Sequence, residues 1–297
     1  MKGLTTDENF LGIEDENLYS YKNAKYVIQQ VPYEHTSSYL QGSARGPAAI
    51  INASHFVEFY DEELDVETLI TNPIATIAPI EFGDKIDAEA IALIEEHTTA
   101  LLNDNKFVVS LGAEHTVTLG FVKAFMKKFE SITVLQFDAH SDLRLSYHDN
   151  IYSHASVMAR IHELGLNLTQ IGIRAQCKQE SDLIKASPDI NTFYAHQIRA
   201  NPNWMDEAIA TLTDNVYISI DADGFDPSIV PSVGTAEPGG LYWEETLAFL
   251  RKVINAKNVI GFDVVEIAPI EGQILSEYAM AKLVYRLIGY ISFKENL

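Results

Sequence analysis

The chain has 297 residues, 47% of them hydrophobic, with 21 basic against 42 acidic residues, for a formal net charge of -21. That apolar fraction supports a large buried core and argues against disorder. The acid excess excludes a sequence-independent grip on nucleic acid or anionic membrane, since both need basic patches.

Strand AKYVIQQV near residue 28 comes first, then ATIAPI near 78 and a helix over Asp87–Asn103. FVVSLG near 109 leads to a helix over Thr118–Phe129, and ITVLQF near 134 is followed by a helix over Ala155–Glu163. LTQIGI near 171 and NTFYA near 193 precede a helix over Trp204–Leu212. NVYISI near 218, a helix over Trp243–Asn255, VIGFDVVEI near 262 and a helix over Glu277–Ile291 complete the series. Several strands are continuous apolar runs, as strands buried on both faces are. Strand and helix alternating throughout predict an α/β fold with a mainly parallel sheet covered by helices on both sides. No linker or repeat divides the chain, so residues 1–297 read as a single domain. The polar, acidic start has no signal-peptide apolar region, and no apolar run is long enough for a membrane span. The lone cysteine, Cys177, excludes an internal disulfide framework and fits a reducing cytoplasm.

Three apolar strands run straight into acid clusters: Asp138-Ala-His140-Ser-Asp142, Asp221-Ala-Asp223-Gly-Phe-Asp226, and Glu266 after VIGFDVV; a fourth run, FVVSLGAE, ends in His115. Side chains two apart in an extended chain point the same way, so each aspartate motif can converge on one side. In open parallel sheets the ligand crevice lies beyond the carboxyl ends of the strands, where all four clusters fall. Asp226, before Pro227, reads as the cap of a following helix. Five carboxylates and two histidines gathered there, with Arg144 the one cation inside the motifs, need a counter-charge, and divalent cations supply it. Oxygen-rich ligands with imidazole and no sulfur suit Mn²⁺ and tolerate Fe, Co, Ni or Zn. So many carboxylates imply a dinuclear site whose shared water has a depressed pKa. His35 and His148 lie in loops and read as solvated; His55, His97 and His162 read as structural, and Tyr39, Trp204, Tyr242 and Trp243 as packing.

The Asp138–Asp142 and Ser219–Pro227 segments closely resemble the ureohydrolases, the family of arginase, agmatinase and relatives. Gly42-Ser-Ala-Arg45-Gly46-Pro47, Tyr152-Ser-His154-Ala-Ser156, Gly234-Thr235-Ala-Glu237-Pro-Gly239-Gly240 and Glu266-Ile-Ala-Pro269 resemble further family segments, in family order over residues 25 to 290. The style is most like bacterial and archaeal agmatinases. The resemblance implies a three-layer α/β/α sandwich, arginase-like, with two Mn²⁺ per subunit. One ion would take His115, Asp138, Asp142 and Asp221, and the other His140, Asp138, Asp221 and Asp223, with Asp138 and Asp221 bridging. His154 would carry protons and Glu266 would hold the guanidinium. The implied enzyme is a hydrolase of linear amidine C–N bonds, in which a metal-bridging hydroxide attacks the guanidinium carbon. Agmatine, giving putrescine and urea in polyamine biosynthesis, is the first substrate expected; aminopropylagmatine, guanidinobutyrate, guanidine and formiminoglutamate are the alternatives. The expected partner is a small cationic guanidino compound, and the expected assembly a cytoplasmic homo-oligomer, trimer or hexamer. A non-catalytic metal-stabilised assembly protein is the rival class; it should have lost a ligand, the shuttle histidine or Glu266, and all are present.

One departure stands out. Where the family has Gly-Gly-Asp-His, this chain has Gly112-Ala113-Glu114-His115. An acid that orients the histidine from behind can do so from one methylene further away.

Overall fold

The computed structural model describes residues 2–296. Its centre is an eight-stranded sheet: β1 (Tyr26–Val31), β2 (Ile74–Thr76), β3 (Phe107–Gly112), β4 (Ile132–Phe137), β5 (Asn167–Ile173), β6 (Ile190–Tyr194), β7 (Asn215–Asp221) and β8 (Asn258–Val265). Every pairing is parallel, in the order β2-β1-β3-β8-β7-β4-β5-β6. All residues of β1 and β4 are buried, because the sheet is covered on both faces.

Alternate strand residues feed two separate cores. Tyr26, Ile28, Leu135, Phe137, Ile218 and Ile220 belong to one. It is closed by α1 (Gly46–Ser54) and three further helices, numbered below in chain order. Val27, Val31, Val134 and Tyr217 belong to the other, closed by α2 (Asp87–Asn103), α3 (Thr118–Met126) and α4 (Val157–Glu163). Next in the chain are α5 (Lys178–Ala186) and α6 (Trp204–Ala210). They are followed by α7 (Trp243–Ala256) and α8 (Leu275–Ser292). Residues of α6, α7 and α8 complete the first core. The result is three layers, α/β/α, as the residue pattern predicts.

Besides three single-turn α-helices among the described residues, two longer helices were not legible in the sequence. α1 opens on Gly46-Pro47, and proline is tolerated in the first helical turn, where its missing N–H has no partner to lose. The short, charged α5 has few apolar residues; Glu180 secures its start by accepting the Cys177 N–H at 2.6 Å. Asp226 caps no helix. Its Oδ1 accepts the Ser228 N–H and its Oδ2 those of Gly239 and Gly240, so it clamps a turn to a distant loop.

Candidate metal centre

The strands carrying the acid and histidine motifs, β3, β8, β7 and β4, are neighbours at the middle of the sheet. Their carboxyl ends therefore meet at one place, the floor of a cavity of about 290 Å³. His115 opens a single 3-10 turn just beyond β3 and is fully buried. Its Nδ1 lies 3.1 Å from Asp138 Oδ2, 3.0 Å from Asp142 Oδ2 and 3.3 Å from Asp221 Oδ2. His140 Nδ1 lies 3.0 Å from Asp223 Oδ2 and 3.7 Å from Asp138 Oδ1. Two groups of ligand-type atoms result, His115-Asp138-Asp142 and Asp138-His140-Asp223, and Asp138 belongs to both. Asp221 adjoins the first group through Oδ2, while its Oδ1 accepts the Asp223 N–H at 2.9 Å.

The motifs converge by a different route from simple alternation. The strand ends at Phe137, and a bend at Ala139 brings His140 against Asp138, whose Oδ1 accepts the His140 N–H at 2.6 Å; Asp142 is turned inward by a left-handed residue, its own φ being 52°. Asp221 and Asp223 are set by a 3-10 turn over Ala222–Gly224. That turn packs so tightly on the end of β4 that a Cβ at Gly224 would meet the Asp138 nitrogen at 2.8 Å. Glu266 follows β8 with φ 66°, a second left-handed non-glycine residue at the site. Such conformations are kept where the surroundings over-determine them, commonly at functional sites.

Behind His115 stands a network that sequence reasoning missed. His115 Nε2 is 2.9 Å from Ser219 Oγ, which donates to Asp263 Oδ1 at 2.8 Å; Thr118 and Tyr217 donate to Asp263 Oδ2. Because the Ser219 proton goes to Asp263, the Nε2 proton goes to Ser219, and Nδ1 is the ring nitrogen turned toward the three carboxylates. A signal existed: Asp263 interrupts an otherwise apolar strand, where a buried acid needs partners.

The electrostatics are those of crowded, buried acids. Burial pushes Asp142 up to about 7, aided by repulsion from Asp138. Asp221 is held far above the carboxylate range by burial and then by Asp223 and Asp138. Burial opposes charge on His140, but Asp223 and Asp138 outweigh it and push it up to about 12. Burial likewise opposes a charged His115, which three acids nevertheless hold well above the imidazole range. Its Nδ1 is buried without a hydrogen-bond partner among the described residues. A buried imidazole nitrogen and converging carboxylates that cannot all ionise together are the donor set of a divalent metal. The residues fit the group.

Above the floor lie His154 and Glu266. His154 sits in a 3-10 turn, and burial together with the neighbouring His140 and His115 pulls it down to about 4. Glu266 Oε1 accepts the His115 N–H at 2.7 Å; burial raises its carboxyl well above the usual range. Ser37, Ser38, Tyr39, Leu40, Arg144 and Tyr147 form the mouth. Tyr39 is therefore not a packing residue: it is 76% exposed, at the cavity edge. His35 and His148 do not line the cavity, and Trp204 packs on Phe249 as expected. Glu114 does not orient His115; its Oε2 accepts the N–H groups of His35 and Thr36 at 2.9 and 2.6 Å. The extra methylene serves a neighbouring loop.

A family model described as Arginase family matches residues 24–289. The chain is 43% identical to the N(1)-aminopropylagmatine ureohydrolase of Synechocystis sp., over 94% of this chain and 92% of that one. It is 32% identical to the agmatinase of Pyrococcus horikoshii, over 90% and 92%. Among solved structures, the agmatine ureohydrolase of Thermoplasma volcanium superposes with a TM-score of 0.83 at 30% identity, covering 98% of this chain and 97% of that one. No helix among the described residues is long and apolar enough to cross a membrane.

Proposed function

Since the chain belongs to the arginase family, we propose that it hydrolyses the guanidino group of a cationic aliphatic amine, releasing urea, with N(1)-aminopropylagmatine the first substrate and agmatine the next. The observation that carries the reading is the convergence of His115, Asp138, His140, Asp142, Asp221 and Asp223 at the floor of the cavity that His154 and Glu266 line. The 43% identity to a relative named for aminopropylagmatine, against 32% to one named for agmatine, supports moving the longer amine ahead of the agmatine expected from the motifs.

His115, Asp138, Asp142 and Asp221 would hold one ion and His140, Asp223 and the shared Asp138 the other; manganese suits this donor set. When bound, the ions supply Lewis acidity and a hydrolytic nucleophile near neutral pH. Glu266, fixed through Oε1 to the His115 backbone, offers Oε2 to a guanidinium N–H. A guanidinium there also stabilises the ionised carboxylate that burial disfavours. Hydrolysis consumes water and leaves an amine that needs a proton; His154, facing the same cavity and held neutral by burial, would take up the proton that the water gives up and pass it to that amine. The acids lining the cavity favour a cation. In the same terms we propose one catalytic domain, a small-molecule partner and a homo-oligomer.

Arg144 supports a second reading. Its guanidinium lies 5.3 Å from the Tyr147 ring centroid at the cavity mouth, where it would pair with a carboxylate tail such as that of 4-guanidinobutyrate. Urea release from aminopropylagmatine, agmatine, guanidine and 4-guanidinobutyrate with added Mn²⁺ tests both. The amines should give the highest kcat/KM; preference for guanidinobutyrate would replace the first reading by the second, and no urea from any compound would refute both.

A further inference from the structure

The segment from Pro32 to Arg45 is a strap across the cavity edge, and two buried or half-buried acids pin it. Glu34 accepts the N–H groups of Gly42 and Ala44 at 2.7 and 3.0 Å, and Glu114 accepts those of His35 and Thr36. Between these anchors, the Thr36 hydroxyl contacts His154 twice. Its Oγ1 accepts the His154 backbone N–H at 3.0 Å and lies 3.0 Å from His154 Nδ1. Tyr147 meets the imidazole edge-on, with centroids 5.7 Å apart. His154 is thus held at its backbone and at one ring nitrogen by a single side chain, leaving Nε2 as the nitrogen available to the cavity.

We propose that Thr36 is the positioning residue of His154, and that Glu114 acts through it by fixing the Thr36 backbone. The inference rests on the reading of His154 as the proton carrier. A histidine at the end of a loop turn samples several χ1 and χ2 combinations, and a proton donor is useful only when aimed at the departing amine. The backbone bond fixes His154 relative to the hydroxyl, and the Nδ1 contact then restricts the ring to one orientation. Glu114 is fully buried, so removing its carboxylate strands the two N–H groups it satisfies and frees the strap. This accounts for the longer acid at position 114: it reaches across to the loop that aims the histidine.

The test is Thr36→Val, which keeps the shape and removes the hydroxyl, compared with Thr36→Ser, which restores it. Misaiming of a catalytic group lowers rate by up to about 100-fold. The valine variant should lose about 10- to 100-fold in kcat, with KM within about twofold and both metals retained. Serine should recover most of that loss. In a His154→Ala background the same Thr36→Val change should matter less than about twofold, because the residue it positions is gone. Independently of turnover, ¹⁵N-histidine spectra of the metal-free protein should show the His154 ring resonances shifted by Thr36→Val and by Glu114→Ala. Wild-type kcat in Thr36→Val overturns the proposal. So does a loss that persists in the His154→Ala background, or one that follows metal loss and is not recovered by serine. If wild-type protein releases no urea from any guanidino compound, the parent reading falls and the role of Thr36 with it; if it does and Thr36→Val matches it, only the role of Thr36 falls.

Discussion

The floor and the mouth of the cavity are built from different materials. The floor hangs on four adjacent strand ends, and Asp138, Asp142, Asp221 and Asp223 are buried there, tied to one another and to the network behind His115. The mouth is made of loops, with Tyr39 76% and Leu40 50% exposed. Geometry on the floor is set by the sheet and tolerates little movement; geometry at the mouth is set by a few hydrogen bonds and can change without disturbing the fold. On the proposed reading, the metals and the attack belong to the floor and the choice of substrate tail to the mouth. Substitutions on the floor should remove turnover or metal, and substitutions at the mouth should change KM and substrate preference, except at Thr36 and Glu114, which act on kcat through His154.

The largest effect is expected from Asp138→Asn, since that side chain is shared by both ligand groups. Removing a charge from such a buried cluster costs several kcal/mol, and activity should fall more than about a thousandfold with loss of bound metal by elemental analysis. His154→Asn should keep both metals while kcat drops about 100- to 10,000-fold, the usual worth of a positioned acid. Equal metal loss in the two variants would show His154 to be a ligand. Ser219→Ala, which breaks the link between His115 and Asp263, should weaken metal binding about 10- to 100-fold in a competition titration.

At the mouth the effects are smaller. Tyr39→Ala should raise KM for an amine-tailed substrate about two- to fivefold through a lost cation–π contact, and leave guanidine unaffected. Equal changes for both compounds would remove Tyr39 from tail recognition.

A pH effect separates floor from mouth without mutation. In the metal-free native chain His140 is held up at about 12 against 6.5, and Asp142 at about 7 against 3.8. Both keep protons that the unfolded chain gives up, so each contribution to stability declines as pH rises through its window. His154, held down at about 4, acts oppositely, but only below 6.5. Above pH 6.5 the declining contributions of His140 and Asp142 remain. The Tm of metal-stripped protein should thus be lower at about pH 9 than at pH 6.5, and Mn²⁺ should raise it more at the higher pH. An unchanged Tm would contradict the assigned charge state of the floor.

The two regions also differed in how much the amino-acid sequence revealed. The floor was legible because its acids and histidines stand in short motifs directly after apolar runs, and the sheet order brings those runs together. Even there, the turns that converge the side chains were hidden: a bend at Ala139 sets His140 against Asp138, and Asp142 depends on a left-handed residue that no local pattern announces. Asp263 was hidden because its partners Ser219, Thr118 and Tyr217 come from other elements. The mouth was mostly illegible: Tyr39 looks like any aromatic residue, and Glu114 serves a strap about 80 residues away in sequence, its bond to the His35 N–H spanning 79 positions. Contacts between distant loops leave no periodicity to read.

The most direct test of the account is urea release from N(1)-aminopropylagmatine by metal-stripped protein before and after Mn²⁺ is returned. The account predicts none before, sustained release after, and none in Asp138→Asn under either condition. Equal release without metal, or no release from this or any other guanidino compound after loading, would contradict it.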